Sequence, residues 1–198
     1  MMRDAGANTP EENRADSERL DRLFNGLWAH PCFTVGAVQG VALGGGAGLV
    51  ACCDYVVATQ NVRIALSEGK LGILPAVIGP YVYRRLGSAT FRRLAMQASR
   101  VQGEEALRVG FIEALVDEPN DLEAAVTAIV SEVMTTGPSA VTLAKELTVG
   151  FDRWTGTDEE LRHWTLDFTS RMRGSNEGQE GLSSFLEKRA PNWKPDDD

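Results

Sequence analysis

Histidine is nearly missing from this chain: His30 and His163 are the only two. Neither stands with a serine or cysteine in a recognisable nucleophile motif, so Ser-His-Asp or Cys-His catalysis finds little support. His30 precedes Pro31 at a predicted helix end, where it suits the C-terminal dipole, and His163 falls in a charged helical stretch. Cysteine is also scarce. Cys32, Cys52 and Cys53 have neither the count nor the spacing of a disulfide framework or a metal site, and they read as small buried hydrophobes in a reducing compartment. Positive charge is in deficit, with 20 Lys and Arg against 28 Asp and Glu and a net charge of -8. That balance argues against a nucleic-acid groove or an anionic membrane surface, although a few local cations could still hold a phosphate-bearing ligand. No long apolar run suggests a membrane span, and Met1-Met2-Arg3-Asp4 lacks the apolar core of a secretory signal, so a cytoplasmic location is the default expectation.

What the sequence does contain is enough apolar material, 43% of 198 residues, for a globular core. It is organised around Val38-Gln39-Gly40-Val41-Ala42-Leu43-Gly44-Gly45-Gly46-Ala47-Gly48-Leu49-Val50-Ala51-Cys52-Cys53-Asp54. This stretch predicts a buried strand, a sharp glycine turn and a helix too apolar to face water. A helix starting at such a turn offers unpaired N–H groups and a partial positive charge to an anion or a developing oxyanion, which makes the Gly45 N–H the working site. A tight turn with no ligand accounts for the glycines equally well.

Along the chain, residues 1–13 read as a loop or loose end because of Gly6 and Pro10. Leu20, Leu23, Phe24 and Leu27 recur at helical spacing over 15–29, and Pro31 stops that helix. A strand over 33–38 leads into the glycine turn, and strands are predicted over 55–58 and 62–66. Residues 67–79 carry three glycines and Pro75 without a clean period, the mark of a structured loop lining a site. Helices follow over 80–86 and 88–98, interrupted at Gly87, with Arg84, Arg85, Arg92 and Arg93 expected on a solvated face. Residues 101–110 read as a short helix and 111–116 as a strand. The spans 122–135, 139–151, 158–172 and 179–189 are all helical by pattern, and 195–198 read as a frayed tail. These elements predict an α/β core over 1–121 and a C-terminal helical region over 122–198.

The glycine run, Cys53-Asp54 after its helix, Ser67-Glu68-Gly69-Lys70-Leu71-Gly72, and Gly181-Leu182-Ser183-Ser184-Phe185-Leu186-Glu187-Lys188-Arg189 together resemble the crotonase superfamily of enoyl-CoA hydratases and isomerases. In order and approximate spacing the resemblance covers residues 16–193. It implies a spiral of ββα units, with C-terminal helices that pack between subunits in a homotrimer or a dimer of trimers. It also implies a coenzyme A thioester as substrate, with no metal or redox cofactor. Gly45 matches one backbone donor to the thioester oxygen, flanked by Gly44 and Gly46 at the substrate. Such a donor is typically worth about 3 kcal/mol of barrier. Glu68 matches a catalytic carboxylate. Composition alone favours a surface glutamate balanced by Lys70; the motif reverses that reading, and desolvation among apolar neighbours would raise its pKa usefully. Phe185 and Lys188 match positions that contact the adenine and phosphate end of coenzyme A, from an adjacent subunit. The same residues also suit an exposed helix end with a basic terminus. Asp54 reads as structural.

The sequence departs from the two-glutamate hydratases at Gly48, which stands where their first catalytic glutamate would be. One carboxylate can shift a proton between substrate carbons, as isomerases do, or activate water and return the proton to the α-carbon. The wording around Gly44 to Asp54, Leu66-Ser67-Glu68 and Pro75-Ala76-Val77-Ile78-Gly79-Pro80-Tyr81-Val82 is similar to the bacterial methylglutaconyl-CoA hydratase branch, where glycine is usual at this place, and so favours hydration. A non-catalytic acyl-CoA-binding or assembly subunit is the rival of a different class. The resemblance further implies a block of strands upstream of the first helix, which supplies the other oxyanion donor. Turnover by this chain is therefore expected to be weak and to rise when upstream sequence is restored.

Overall fold

The structure is a computed structural model that describes residues 8–194. The expectations placed on the first seven residues and on the tail over 195–198 lie outside the described residues. Contacts divide the chain into two units. One comprises the chain through His30 together with Thr34–Val126; the other comprises Pro31–Phe33 and the described chain from Thr127 onward.

The first unit opens with α1 (Pro10–Trp28). Its start corrects the predicted loop for residues 10–13. Thr9 accepts from the Glu12 N–H at 3.2 Å, Glu12 reaches back to the Thr9 N–H at 2.8 Å, and Pro10 occupies a first-turn position whose N–H would have no partner. Phe24 of α1 is fully buried.

Two strand-strand-helix units follow. In the first, β1 (Val35–Val38) and β2 (Val41–Leu43) lead into α2 (Gly45–Cys52). The predicted continuous strand is broken at Gly40, whose φ of 74° turns the chain so that β1 and β2 enter different sheets. In the second, β3 (Tyr55–Thr59) and β4 (Arg63–Ala65) are followed by a 3-10 turn (Ser67–Leu71), where a loop had been predicted, and by α3 (Gly79–Gln97), kinked at Gly87. The repeat makes each unit add one parallel strand to each sheet: β3 pairs with β1 from Val35 opposite Tyr55, and β4 pairs with β2 from Val41 opposite Arg63.

The next segment corrects the predicted helix over 101–110. Val101–Gln102 is β5, antiparallel to β4, and only Gly103–Arg108 is helical, as α4. β6 (Ala114–Val116) completes the sheet β1-β3-β6, shorter than the predicted strand from Phe111. α5 (Asp121–Val133) carries the chain across the boundary between the units.

The core of the first unit is built from α2, both sheets and the inward residues of α1 and α3, including Val50, Val56, Ile64, Leu66, Ile78 and Leu94. Arg85 is a correction to the predicted solvated face. Its largely buried guanidinium donates to the carbonyls of Cys53, Gly110 and Phe111 at 2.8–3.0 Å and pairs with Glu113 at 2.7 Å. Glu113 in turn accepts from the Val56 N–H at 2.7 Å. A bidentate cation joining three chain ends in this way replaces water that the carbonyls would otherwise need. Cys52 is buried as expected, whereas Cys32 is exposed.

The second unit holds α6 (Pro138–Arg153), α7 (Asp158–Arg173) and α8 (Asn176–Glu187). Trp164 of α7 packs edge-on against Phe151 and Phe168 and at a tilt against Trp154, with centroid distances of 5.4–5.8 Å. No helix among the described residues is long and apolar enough to cross a membrane.

Candidate active site

The site begins where β2 ends. Gly44 has φ 53° and ψ -116°, a conformation that residues with a Cβ rarely adopt, and its N–H donates to the Ala65 carbonyl at 2.9 Å. That bond ties the mouth of α2 to the end of β4. Gly44 caps α2 without a side chain, and the first turn is Gly45, Gly46 and Ala47. Gly45 is exposed, and its N–H stands at a helix start with no carbonyl four residues back inside the helix. The pieces of an oxyanion donor are present there: an amide in the first turn, a favourable dipole, and access.

Glu68 is delivered to the same place by β4 and the 3-10 turn. Buried Leu66 anchors the entry, and Gly72, at φ 75°, closes the turn by donating to the carbonyls of Glu68 and Gly69. A Cβ on Gly44 would lie 3.1 Å from Glu68 Oε1, so the carboxylate rests against the glycine's bare face. Glu68 Oε2 is buried and has no hydrogen-bond partner. Burial pushes the Glu68 carboxyl above its ordinary value, and a hydrogen bond from its own N–H opposes this only in part. Among the described residues no ion pair joins Glu68 to the exposed Lys70, so the composition-based picture of a balanced surface pair does not apply.

Gly48, one turn along α2, is not an open slot. A Cβ there would come within 2.4 Å of Ile78 Cγ2, 2.9 Å of Ile78 Cβ and 3.0 Å of Phe24 Cε1. Phe24 and Ile78 thus occupy the volume that a carboxylate side chain at this position would need. Sequence reasoning noticed the glycine but not the residues packed on it. The available signal was a glycine inside a helix that otherwise has no reason to tolerate one, which points to close approach of a neighbour.

Of the other predicted site residues, Gly46 lies in the first turn beside Ala42. Asp54 is taken up structurally, accepting from the Thr34 N–H at 2.7 Å and the Thr34 hydroxyl at 2.9 Å. Phe185 and Lys188 belong to the second unit. Phe185 is 81% exposed on α8, and Lys188 ends that helix in a left-handed conformation at φ 56°. Its neighbour Arg189, not singled out by the sequence, is the cation held in place: it grips both oxygens of Glu180 at 2.6 and 2.8 Å and reaches Glu187 at 2.7 Å.

Residues 2–196 match the family described as enoyl-CoA hydratase/isomerase. The crotonyl-CoA hydratase of Syntrophomonas wolfei is 31% identical over 195 residues, which cover 98% of this chain and 72% of that protein. The mitochondrial methylglutaconyl-CoA hydratase of Rattus norvegicus is 30% identical over 204 residues, covering 96% of this chain and 63% of that protein. The crystal structure of an enoyl-CoA hydratase from Shewanella pealeana superposes with a TM-score of 0.90 at 36% identity, over 97% of this chain and 71% of that one.

Proposed function

The chain belongs to the enoyl-CoA hydratase/isomerase family of enzymes and has the crotonase fold, and from that premise we propose that it adds water across the 2,3-double bond of an enoyl-CoA with Glu68 as its one acid/base carboxylate. The observation that carries this reading is the partly buried, incompletely hydrogen-bonded Glu68 set against Gly44 at the start of α2, with the alternative carboxylate position closed by Phe24 and Ile78. The thioester oxygen takes a hydrogen bond from the Gly45 N–H. Glu68 accepts a proton from water as the oxygen attacks the β-carbon. The π electrons move toward the thioester oxygen, where the donor stabilises the enolate-like charge more than it stabilises the ground state. Glu68 then returns the proton to the α-carbon and is restored as a carboxylate. A pKa raised by burial suits both halves, since the same group must first take a proton and then give it up.

The single carboxylate also fits an isomerase, in which Glu68 removes a proton from one carbon and delivers it to another without water. Crotonyl-CoA and 3-methylglutaconyl-CoA are the two substrates to test first, because relatives of this chain carry those names. Loss of enoyl-thioester absorbance with either, accompanied by incorporation of solvent oxygen, is the expected result. Double-bond migration without oxygen incorporation would replace hydration by isomerisation, and a folded chain that binds thioester but transforms neither would leave an acyl-CoA-binding or assembly role. Leu182, Phe185 and Leu186 are exposed on one face of α8. That face supports a trimer or dimer of trimers in which Phe185 and Lys188 serve a neighbour's coenzyme A, and sizing of the purified chain with and without thioester tests it.

A further inference from the structure

Glu68 is preceded by a hydroxyl that the mechanism above has not used. Ser67 opens the 3-10 turn and is half-buried, and its side chain forms no hydrogen bond to any described residue. The face of Gly44 shows where that hydroxyl lies. A Cβ built on Gly44 would meet three atoms: Glu68 Oε1 at 3.1 Å, Glu68 Cδ at 3.5 Å and Ser67 Oγ at 3.6 Å. Carboxylate and hydroxyl therefore lie together against the side of Gly44 from which a side chain would project. The Gly45 amide follows immediately in the chain. Three polar groups meet at one glycine turn, namely the Ser67 hydroxyl, the Glu68 carboxylate with its Oε2 unbonded and the Gly45 amide, a set that suits a small polar molecule rather than more of the acyl group.

The geometry points to Ser67 as the second holder of the attacking water, its hydroxyl fixing the water while Glu68 takes the proton. This inference rests on the hydratase reading. The position of a second carboxylate, Gly48, is closed here by Phe24 and Ile78, so another group must help to hold the water. A hydroxyl can donate to or accept from water, so it orients the nucleophile without competing for the proton. No atom of Ser67 changes its bonding in the reaction: the water oxygen bonds to the β-carbon, its proton goes to Glu68, and that proton passes to the α-carbon. Ser67 is thus placed to touch the reacting water and to act only in the step that needs it.

That restriction provides the test. The chain and its Ser67→Ala, Ser67→Thr and Ser67→Cys variants are compared in two reactions: hydration of whichever of crotonyl-CoA and 3-methylglutaconyl-CoA the unaltered chain turns over, and exchange of the α-protons of butyryl-CoA with deuterium oxide. Exchange needs Glu68 and the oxyanion donor but no attacking water. In Ser67→Ala, kcat for hydration is expected to fall about tenfold to thirtyfold with KM within about twofold, while exchange stays within about twofold. Ser67→Thr, which keeps the hydroxyl, is expected to recover most of the hydration rate, and Ser67→Cys to behave like alanine. Hydration by Ser67→Ala within twofold of the unaltered chain, or a parallel fall in hydration and exchange, overturns the proposal while leaving the hydratase reading intact. An unaltered chain that exchanges α-protons but hydrates neither thioester overturns the hydratase reading, and the role of Ser67 with it.

Discussion

The two units of this chain are held together by different means. Among the described residues, every buried hydrophobic one apart from Phe168 belongs to the first unit, where α2 is packed so closely that Gly48 has no room for a methyl group. The second unit relies on its helix ends. Thr157 and Glu160 form a reciprocal cap on α7, Glu177 accepts from the N–H groups of Ser139 and Ala140 at the start of α6, and Arg189 joins Glu180 to Glu187 beyond α8. Tight packing suits a region that must hold a carboxylate against a helix start to within a fraction of an ångström. Capped amphipathic helices with Leu182, Phe185 and Leu186 facing out suit a region that leaves its own apolar surface for something else to cover. Substitutions in the first unit should therefore act through volume and desolvation, and those in the second through individual polar bonds.

The largest effect should come from the residue at which the first unit departs from its own rule. Glu68→Gln is expected to lower kcat about a thousandfold, within the range usual for a lost general acid/base, while thioester binding changes little. It should also raise stability at neutral pH. The sign follows from the raised pKa: burial disfavours the ionised form in the folded state, so this carboxyl stabilises the fold least once it is ionised, at pH values above its folded pKa. The higher melting temperature of Glu68→Gln should accordingly shrink as pH falls and Glu68 takes up a proton. The acid limb of kcat/KM should lie at higher pH than an ordinary glutamate would give. A variant that loses activity together with stability would mean that Glu68 is held by packing after all.

Next in size is Gly48→Ala, which should cost about 2–3 kcal/mol by overpacking, measured as a shift in the denaturant midpoint. Gly48→Ala combined with Ile78→Ala should cost less than the two singly, because removing the Ile78 branches relieves the closest of the contacts while the Phe24 and Ile78 Cβ contacts remain. Strict additivity would show that Ile78 does not hold the position shut.

How far the sequence disclosed all this followed the same division. The strand, glycine turn and apolar helix from Val38 to Asp54 were legible because glycines and a continuous apolar run are strong local signals, and the crotonase fold implied by the resemblance of the whole motif series is the fold observed. Glu68 was legible only through its motif, since the 3-10 turn sets it against Gly44, a residue distant in the chain. The four C-terminal helices could be read from periodicity to within a few residues. What was missed depended on long-range contacts or on a competing local cue. Gly6 and Pro10 read as loop signals although Thr9-Pro10-Glu11-Glu12 carries a complete capping box. Val101–Gln102 became a strand because β4 offered it an edge. Arg85 was placed outside because nothing in its neighbourhood announces three carbonyls from residues 53, 110 and 111. Ile78 and Phe24 could not be connected to Gly48 without the packing.

The second unit should give smaller effects that do not depend on volume. Thr157→Ala removes one acceptor from the start of α7 and is expected to cost about 1 kcal/mol, with Thr157→Ser recovering most of it. A cost as large as that of Gly48→Ala would mean that this unit is packed as tightly as the first.

The smallest effect belongs to the ionic hook after α8, and its dependence on pH should be confined to acid. The hydrogen bonds from Arg189 hold the Glu180 carboxyl down to about 2, with the Asn192 N–H adding a further bond at 2.9 Å. A carboxyl whose folded pKa is depressed contributes stability above its unfolded pKa and loses that contribution as pH falls toward the folded one. Between pH 7 and pH 5 the contribution of the hook is therefore constant. From about pH 4.5 down toward pH 2 it declines, and the melting temperatures of the unaltered chain and of Arg189→Gln should converge over that interval. Arg189 is exposed and Glu180 partly so, and salt should therefore reduce the difference at neutral pH as well. A gap between the two that persists unchanged at pH 2.5 would show that Arg189 acts through packing of its stem against α8 and not through its charge.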